Sequence, residues 1–290
     1  MLLPQFTLHS PGTTDEAFNI LSTYPESAIL GGGTDLVVNM KKRVVAPQNV
    51  LSLRKIKALN HIGKERGTIR IGAAVTVSDI INSNVFPSSM RNLIQSAQNL
   101  GTPLIRNRAT IGGNIMSARP AADLICSLLC LEASVELMSS SGRRILSLPE
   151  LIQGPGTTTR NRGEMLTAII IKLPPAGTGS DYHSLGIRRA QDINVVNVST
   201  LLTLDGHGIV QRAGVALGCV GPTHILSPSA AKILQGRKIT LDLVDETAAA
   251  CVHDCAPIDD FRSTAEYRKK MVQVLTKRSL QQAWKQAVDE

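Results

Sequence analysis

One stretch near the start of the chain, an apolar run followed by three glycines, constrains the fold more than any other. Ala28-Ile29-Leu30 has the character of a short buried strand, and it leads directly into Gly31-Gly32-Gly33. A helix start is indicated next, because Thr34 is a favourable N-cap and the carboxylate of Asp35 suits the positive end of a helix dipole. Such glycines permit positive φ and close approach to a bulky ligand, and N–H groups at a helix start suit a phosphate. A tight turn that binds nothing explains these residues equally well.

A second glycine-rich stretch makes a ligand site the better interpretation. Thr110-Ile111-Gly112-Gly113-Asn114 repeats the chemistry, with an apolar lead-in, paired glycines and a small amide. From Asp123 onward, leucines recur with helical spacing, so a buried helix is predicted to begin there. Two such glycine loops would serve a purpose if they converged on one pyrophosphate. Neither fits G-x-G-x-x-G or G-x-x-x-x-G-K-[ST], so a Rossmann or P-loop site is disfavoured.

Composition and charge exclude several classes of protein. The 290 residues are 43% hydrophobic and 19% charged, as in an ordinary globular chain. A run of about 20 apolar residues and a basic, apolar leader are both missing from the sequence, so we expect a cytoplasmic protein without a membrane span. The net charge of +8 allows docking patches, but one Trp, three Tyr and four Phe argue against a base-stacking nucleic-acid surface.

The residues that carry most enzyme chemistry do not form a recognisable constellation. The five cysteines are odd in number and contain no C-x-x-C, so buried thiols are favoured over a disulfide framework or a metal site. The histidines lack metal-ligand spacing, and G-x-S-x-G is absent from the sequence. We therefore predict no catalytic side chain and no metal ligand on this chain. Glycine loops without acid–base residues fit a redox protein whose cofactor performs the chemistry.

The order of predicted elements suggests two domains. Residues 174–180 have the composition of a linker, so we predict one domain over 1–176, with subdomains of about 1–55 and 56–176, and a second over 177–290. In the second, strands come before helices, which favours an α+β domain with a three-stranded sheet and a helical layer. Ser263-Thr264-Ala265-Glu266 matches a capping box. The predicted strands there are 183–189, 195–204 and 209–219, and the predicted helices are 228–234, 241–255 and about 263–288.

These motifs together resemble a known family. Residues 29–36, 105–123 and 259–268 are similar to the FAD-binding (medium) subunits of molybdenum hydroxylases, a group that includes xanthine, nicotinate and carbon monoxide dehydrogenases. The resemblance extends over nearly the whole chain. It implies a two-part FAD-binding domain of the molybdopterin-dehydrogenase (vanillyl-alcohol-oxidase-like) type, followed by the α+β domain. It also implies that this chain carries FAD, while a large subunit binds molybdopterin and a small subunit holds two [2Fe-2S] clusters. Electrons would pass from the clusters to FAD and on to NAD or another acceptor.

The resemblance also implies which residues contact FAD. Backbone N–H groups of the first stretch would hold the pyrophosphate, and the second stretch would add further contacts. Asp123 would accept a hydrogen bond from a ribose or ribityl hydroxyl, although a plain helix N-cap is an alternative. The backbone of Leu166 would meet the isoalloxazine ring, although a core strand position is an alternative. The implied residues are Leu30, Gly31, Gly32, Gly33, Thr34, Asp35, Leu36, Ala109, Thr110, Gly113, Asn114, Ser117, Asp123 and Leu166.

Some positions depart from the family pattern. Ser184 stands where relatives often have a lysine beside the flavin, Leu104 where glutamine is frequent, and Ala122 where glycine is common. Arg188 or Arg189 would be substitutes for the missing positive charge, although exposed arginines at a strand end are the alternative that is slightly favoured. The signature formed by Asp259, Arg262, Ser263, Tyr267 and Arg268 is interpreted as a helix start with charge pairing. The departures leave two rival functions open: an assembly or scaffold protein that has lost flavin, and a stand-alone flavin oxidoreductase.

Overall fold

The computed structural model describes residues 2–188 and 192–289. The chain divides into two compact units that are interleaved in sequence. Unit 1 comprises Met1–Val85, Thr102–Ser117 and Ser134–Ile171; unit 2 comprises Phe86–Gly101, Ala118–Ala133 and Lys172–Glu290. Two segments that precede the predicted linker therefore pack with the C-terminal part of the chain. The part of the chain that is described contains no helix long and apolar enough to cross a membrane.

The elements are numbered in chain order. The strands are β1 (Thr7–His9), β2 (Ala28–Leu30), β3 (Asn49–Ser52), β4 (Ile62–Glu65), β5 (Thr68–Gly72), β6 (Ser134–Ser139), β7 (Gly142–Ser147), β8 (Ile152–Gly154), β9 (Thr157–Thr158), β10 (Met165–Lys172), β11 (Thr178–Leu185), β12 (Val196–Leu204), β13 (Val210–Gly218) and β14 (Ile225–Leu226). The helices are α1 (Thr14–Thr23), α2 (Leu36–Lys41), α3 (Val77–Asn82), α4 (Arg91–Asn99), α5 (Pro103–Arg106), α6 (Ile111–Met116), α7 (Asp123–Cys130), α8 (Leu148–Leu151), α9 (Pro228–Leu234), α10 (Leu241–Cys251) and α11 (Ala265–Asp289).

Unit 1 is built on two main sheets. A parallel sheet has the strand order β1-β3-β2, and a five-stranded sheet has the order β4-β5-β10-β6-β7. Helix α1 begins where the hydroxyl of Thr13 accepts a hydrogen bond from the N–H of Glu16. Its apolar residues Ala17, Phe18 and Leu21 are buried in one core cluster with Leu51 of β3, as their helical spacing predicts.

Unit 2 is a sheet with helices packed on it. The sheet has the antiparallel order β11-β12-β13-β14, that is, the three predicted strands and an additional strand of two residues. Strand β12 is buried along its whole length, and its side chains alternate between two kinds of environment. Val198 and Leu202 belong to the apolar cluster with α9, α10 and α11, whereas Asn197 and Ser199 contact α7 and α4. The sheet is therefore covered by helices on both faces.

The segment predicted to be a linker is partly a strand. β11 begins at Thr178 and ends at Leu185, so the prediction of a linker to 180 and of a strand over 183–189 is wrong in its bounds. Arg189 lies outside the described residues. A Cβ atom at Gly179 would lie 2.0 Å from the carbonyl oxygen of Ala283, so glycine is required there by the close approach of α11. Glycine and small polar residues therefore indicate helix–sheet packing at this position, not a loop.

The segment before α11 is organised by charge, as predicted. Arg268 is buried, and its Nη1 donates to the carbonyl oxygens of Val195 at 2.9 Å and Cys219 at 3.0 Å. Asp260 lies 2.5 Å from Arg262 Nη2 and 2.7 Å from Arg268 Nη2. The N-cap of α11 is Thr264 and not Ser263, so the predicted capping box of Ser263 and Glu266 is wrong. The N–H of Tyr267 donates to the hydroxyl of Thr264, which leaves α11 to begin at the next residue.

Replacing Asp260 with asparagine is expected to destabilise the protein at pH 7 by about 2 kcal/mol. Burial alone would raise the pKa of Asp260, but hydrogen bonds from Arg262 and the charges of both arginines hold it well below the usual value. The stabilisation is therefore present above pH 4, about the ordinary pKa of an aspartate, and is lost as the pH falls further. Urea unfolding of both proteins at pH 7 and pH 3 measures the effect. An equal loss at both pH values would contradict a role for the charge.

Candidate functional site

The first glycine stretch joins β2 to α2 in unit 1. Helix α2 begins at Leu36, and the N-cap position is Asp35, whose side chain makes no capping hydrogen bond. The prediction that Thr34 is the N-cap is therefore wrong, because the glycine turn is one residue longer than assumed. Among the three glycines Gly33 has positive φ, +80°, the left-handed conformation that favours glycine.

The second glycine stretch is helical and not a loop. Thr110 is the N-cap of α6, and its hydroxyl accepts a hydrogen bond of 3.0 Å from the N–H of Gly113. The N–H of Gly112 donates to the carbonyl oxygen of Ala73 at 3.0 Å, which holds this helix against the end of β5. A Cβ atom at Gly112 would lie 2.6 Å from that oxygen. The glycine that suggested a loop is thus present because a short helix needs close contact with a neighbouring backbone.

The structure brings the two glycine stretches into direct contact within unit 1. A Cβ atom at Gly32 would lie 1.7 Å from the carbonyl oxygen of Arg108, which lies two residues before the second stretch. A Cβ atom at Gly31 would lie 2.7 Å from the hydroxyl oxygen of Thr110. The two stretches therefore lie against each other, and their convergence on one pyrophosphate stays a prediction. Gly31 and Gly32 allow one stretch to approach the other.

The turn between β2 and α2 contains backbone N–H groups without a hydrogen bond in the described residues. Throughout residues 2–188 and 192–289, no hydrogen bond is recorded from the backbone N–H groups of Gly32, Gly33 or Thr34. These residues are half-buried, and their side chains are absent or small and uncharged. Unpaired N–H groups on a tight turn fit a diphosphate, because they supply neutral donors to an anion without a competing carboxylate.

The other residues implied for the second stretch are more fully engaged inside the protein. The N–H of Ala109 donates to Ile105, and its carbonyl oxygen accepts from Val77, so neither backbone group of Ala109 is spare. The hydroxyl of Ser117 donates to the carbonyl oxygen of Asn114 at 2.7 Å. The N–H of Asn114 donates to the carbonyl oxygen of Thr110 at 2.9 Å. The hydroxyl of Thr110 accepts from the N–H of Gly113, so its own proton can still be donated to a ligand.

Asp123 lies in unit 2, at the first residue of α7. The N-cap position is Ala122, so the alternative interpretation of Asp123 as an N-cap is wrong. Its Oδ1 accepts hydrogen bonds from Nδ2 of Asn99 at 2.8 Å and from Nδ2 of Asn194 at 2.9 Å. Burial raises the pKa of Asp123 above its usual value, and the two amide hydrogen bonds oppose that rise.

Leu166 occupies a core strand position whose backbone is irregular. Its side chain is buried in β10, opposite Leu137 of β6. The register shifts between Leu166 and Ala168, so Thr167 forms a bulge, and its carbonyl oxygen accepts from the N–H of Ala73. Bulges often lie next to binding sites, where they free backbone groups from the ladder.

The structure shows the contacts and exposure of the positions that depart from the family pattern. The hydroxyl of Ser184 donates to Asn99 Oδ1 at 2.8 Å, and Arg188 lies 3.5 Å from Asp192 in an exposed ion pair. Leu104 is 80% exposed and therefore lies on the surface of unit 1. The carbonyl oxygen of Ala122 accepts from Nε2 of His224 at 3.0 Å, and burial lowers the pKa of this histidine to about 4.

The sequence interpretation missed a chain of buried polar groups around Asp123 in unit 2. Tyr182 lies between two amides, with its hydroxyl 3.5 Å from Asn194 Nδ2 and 3.3 Å from Asn197 Nδ2. The thiol of Cys126 donates to Oδ1 of Asn197 at 3.4 Å. The available signal was Asn197, a polar residue within an apolar strand, since buried amides need partners.

The cysteines are buried thiols, as predicted. All five cysteines are free and buried. Burial raises the pKa of Cys130, Cys219 and Cys255 to about 12, which disfavours the thiolate that a metal or cluster requires. Over residues 2–188 and 192–289, no group of three or more His, Cys, Asp or Glu side chains could hold a metal ion.

Comparisons with known proteins cover almost the whole chain. Residues 4–174 match the FAD binding domain in molybdopterin dehydrogenase, and residues 182–283 match the CO dehydrogenase flavoprotein C-terminal domain. The chain is 31% identical over 281 residues to the nicotinate dehydrogenase FAD-subunit of Eubacterium barkeri, with 95% of each chain covered. It is 32% identical over 284 residues to the carbon monoxide dehydrogenase medium chain of Afipia carboxidovorans, with 98% of each covered.

The fold is similar to solved structures of the same kind. One is a carbon monoxide dehydrogenase from Hydrogenophaga pseudoflava that lacks the Mo-pyranopterin moiety of the molybdenum cofactor. The TM-score is 0.93 at 29% sequence identity, and 98% of this chain and 99% of that chain are covered. The reconstituted CO dehydrogenase from Oligotropha carboxidovorans also gives a TM-score of 0.93, at 31% identity. The predicted fold class and the family resemblance are confirmed by these matches.

Proposed function

The chain belongs to the FAD-binding subunits of the molybdopterin dehydrogenases, and on that premise we propose that it is the electron-transfer subunit of a molybdenum hydroxylase complex. One observation supports this proposal above the others. The two glycine stretches pack against each other, and the N–H groups of Gly32, Gly33 and Thr34 have no hydrogen-bond partner in the described residues. FAD, when bound, supplies the redox chemistry by accepting and releasing electrons at its isoalloxazine ring.

The residues of this chain have distinct tasks in the proposal. The N–H groups of the first stretch hold the pyrophosphate, and Thr110, Gly113 and Asn114 support it from the second. Asp123 accepts a hydrogen bond from a ribose or ribityl hydroxyl, for which a buried carboxylate is a strong acceptor. The bulged backbone at Leu166 is the proposed neighbour of the ring. The full proposed set is Leu30, Gly31, Gly32, Gly33, Thr34, Asp35, Leu36, Ala109, Thr110, Gly113, Asn114, Ser117, Asp123 and Leu166.

The partners belong to the same proposal. The relatives are named as an FAD-subunit and as a medium chain, which describes one component of a larger enzyme. We propose a large subunit with molybdopterin, which oxidises the substrate, and a small subunit with [2Fe-2S] clusters, which passes electrons to FAD. NAD or another acceptor then takes the electrons. A cytoplasmic location is part of the proposal, and the five free cysteines fit a reducing compartment.

The purified protein is expected to be yellow and to contain about one FAD per chain. A site that binds the pyrophosphate selects the dinucleotide over FMN, because FMN has a single phosphate. Heat release followed by chromatography identifies the flavin, and the flavin absorbance gives its stoichiometry. Release of FMN, or a colourless chain that does not take up added FAD, would contradict the proposal and favour a scaffold that has lost flavin.

A further inference from the structure

The carboxylate of Asp123 is held by two amide groups through only one of its oxygens. We propose that Asn99 and Asn194 are positioning residues, which fix Oδ1 of Asp123 so that Oδ2 is presented to a hydroxyl group of FAD. The inference rests on the proposed function, in which Asp123 is the acceptor for that hydroxyl. Both amides donate to Oδ1, at 2.8 Å and 2.9 Å. Within residues 2–188 and 192–289, no other residue is recorded as a hydrogen-bond partner of Oδ2.

The orientation of both amides is determined by further contacts. Oδ1 of Asn99 accepts from the hydroxyl of Ser184 at 2.8 Å, so Nδ2 of Asn99 is directed towards Asp123. Oδ1 of Asn194 accepts from Nδ2 of Asn99 at 3.2 Å, which directs Nδ2 of Asn194 towards Asp123 as well. Rotating either amide by 180° would set its oxygen against the carboxylate oxygen of Asp123, so that two acceptors would face each other.

The segments that carry these side chains make further contacts within unit 2. Asn99 is the last residue of α4, and Asn194 lies just before β12, where its carbonyl oxygen is 3.4 Å from Nη1 of Arg262. Asn194 is 3% exposed, so its amide is not available to solvent. A carboxylate held from two such elements keeps its geometry before the ligand arrives, which reduces the entropy lost on binding.

The charge of Asp123 depends on the same two amides. Burial raises its pKa, and the hydrogen bonds from Asn99 and Asn194 oppose the rise because they stabilise the ionised form. The cysteine, tyrosine and histidine side chains near Asp123 are uncharged at neutral pH. Burial raises the pKa of Cys219 to about 12 and those of Cys126 and Tyr182 well above their usual values, while burial lowers the pKa of His224 to about 4. Arg262 is the nearby cation.

The test is the affinity for FAD as a function of pH in Asn99→Leu and Asn194→Leu. The purified full chain is freed of flavin and titrated with FAD between pH 5 and pH 8.5, with quenching of flavin fluorescence as the signal. We expect at least tenfold weaker binding at pH 7 in each variant. We also expect the pH below which binding weakens to move upward by about one unit, because the pKa of Asp123 loses an opposing hydrogen bond. Ser184→Ala, a milder change that frees the amide of Asn99, is expected to shift the profile less in the same direction.

Asn92→Leu is the matched control. Asn92 lies on the same helix, is fully buried, and donates from Nδ2 to Ser199 at 3.0 Å without contacting Asp123. It is expected to lower stability and to leave the pH profile of FAD binding unchanged. A profile that shifts equally in Asn92→Leu and Asn99→Leu, or in neither, overturns the positioning role.

Asp123→Asn separates the inference from the proposed function. We expect this variant to bind FAD weakly and without the pH dependence, and an added Asn99→Leu change to have less than a twofold further effect. If Asp123→Asn binds FAD as tightly as the unmodified chain, the contact of Asp123 with FAD is wrong. If Asp123→Asn binds weakly while Asn99→Leu binds normally, the contact stands and the positioning role fails.

Discussion

Replacing Gly32 with valine is expected to lower FAD affinity more than 100-fold and to destabilise the protein by about 3 kcal/mol. The Cβ atom would lie 1.7 Å from the carbonyl oxygen of Arg108 and 2.9 Å from Cα of Ala109, and neither backbone atom can move without separating the two glycine stretches. Separation displaces the unpaired N–H groups that are proposed to hold the pyrophosphate. FAD titration and urea unfolding of the apoprotein measure the two effects.

Gly154→Val is the control for this substitution. Gly154 ends β8 in the same unit, has no atom within 4 Å of a Cβ position and does not have positive φ. It is expected to keep full flavin occupancy and nearly full stability. The losses of FAD affinity and stability in Gly113→Val are expected to be intermediate. Its Cβ would be 3.0 Å from the hydroxyl oxygen of Thr110 and would disturb only the helix cap. Full flavin occupancy in Gly32→Val would show that the first stretch has been assigned wrongly.

The sequence alone did not predict that Gly32→Val would destabilise the protein. From the sequence, Gly32 and Gly113 are equivalent, because both belong to a glycine-rich loop predicted to surround a ligand. In the structure they differ, because Gly32 contacts backbone and Gly113 contacts a side chain. Spacing along a chain does not reveal which distant backbone lies against a given residue.

Local patterns predicted most of the elements for identifiable physical reasons. The apolar run Ala28-Ile29-Leu30 and the helical spacing of leucines after Asp123 identified β2 and α7, because both signals lie within a few residues of sequence. The short helix α6 was mistaken for a loop, since its glycines have low helix propensity and its stability comes from contact with Ala73. The amides around Asp123 come from segments 95 residues apart, and no pattern within either segment indicates the other.

Substrate alone is expected to leave the flavin of the isolated chain oxidised, whereas substrate with the molybdenum and iron–sulfur subunits is expected to reduce it. The reason is that the proposed function assigns substrate oxidation to the molybdenum subunit. The described residues of this chain hold no cluster of metal ligands, and its thiols are buried and protonated at neutral pH. In the proposed complex, activation of a heteroaromatic or aldehyde substrate is the task of the molybdenum subunit. Slow transfer from NADH to a dye is expected from the isolated chain, because that reaction needs the flavin alone.

Stopped-flow absorbance of the flavin band, recorded with and without the partner subunits, distinguishes the remaining functions. Bleaching that requires both partners supports the role of an electron-transfer subunit. If Gly32→Val loses both flavin binding and bleaching, the activity depends on the glycine stretches. Gly154→Val, which keeps its flavin, is expected to retain bleaching and excludes a general effect of substitution in unit 1. Bleaching by substrate in the isolated chain would instead make it a stand-alone oxidoreductase. A chain that binds FAD yet is never reduced through its partners would contradict electron transfer while leaving the cofactor site intact.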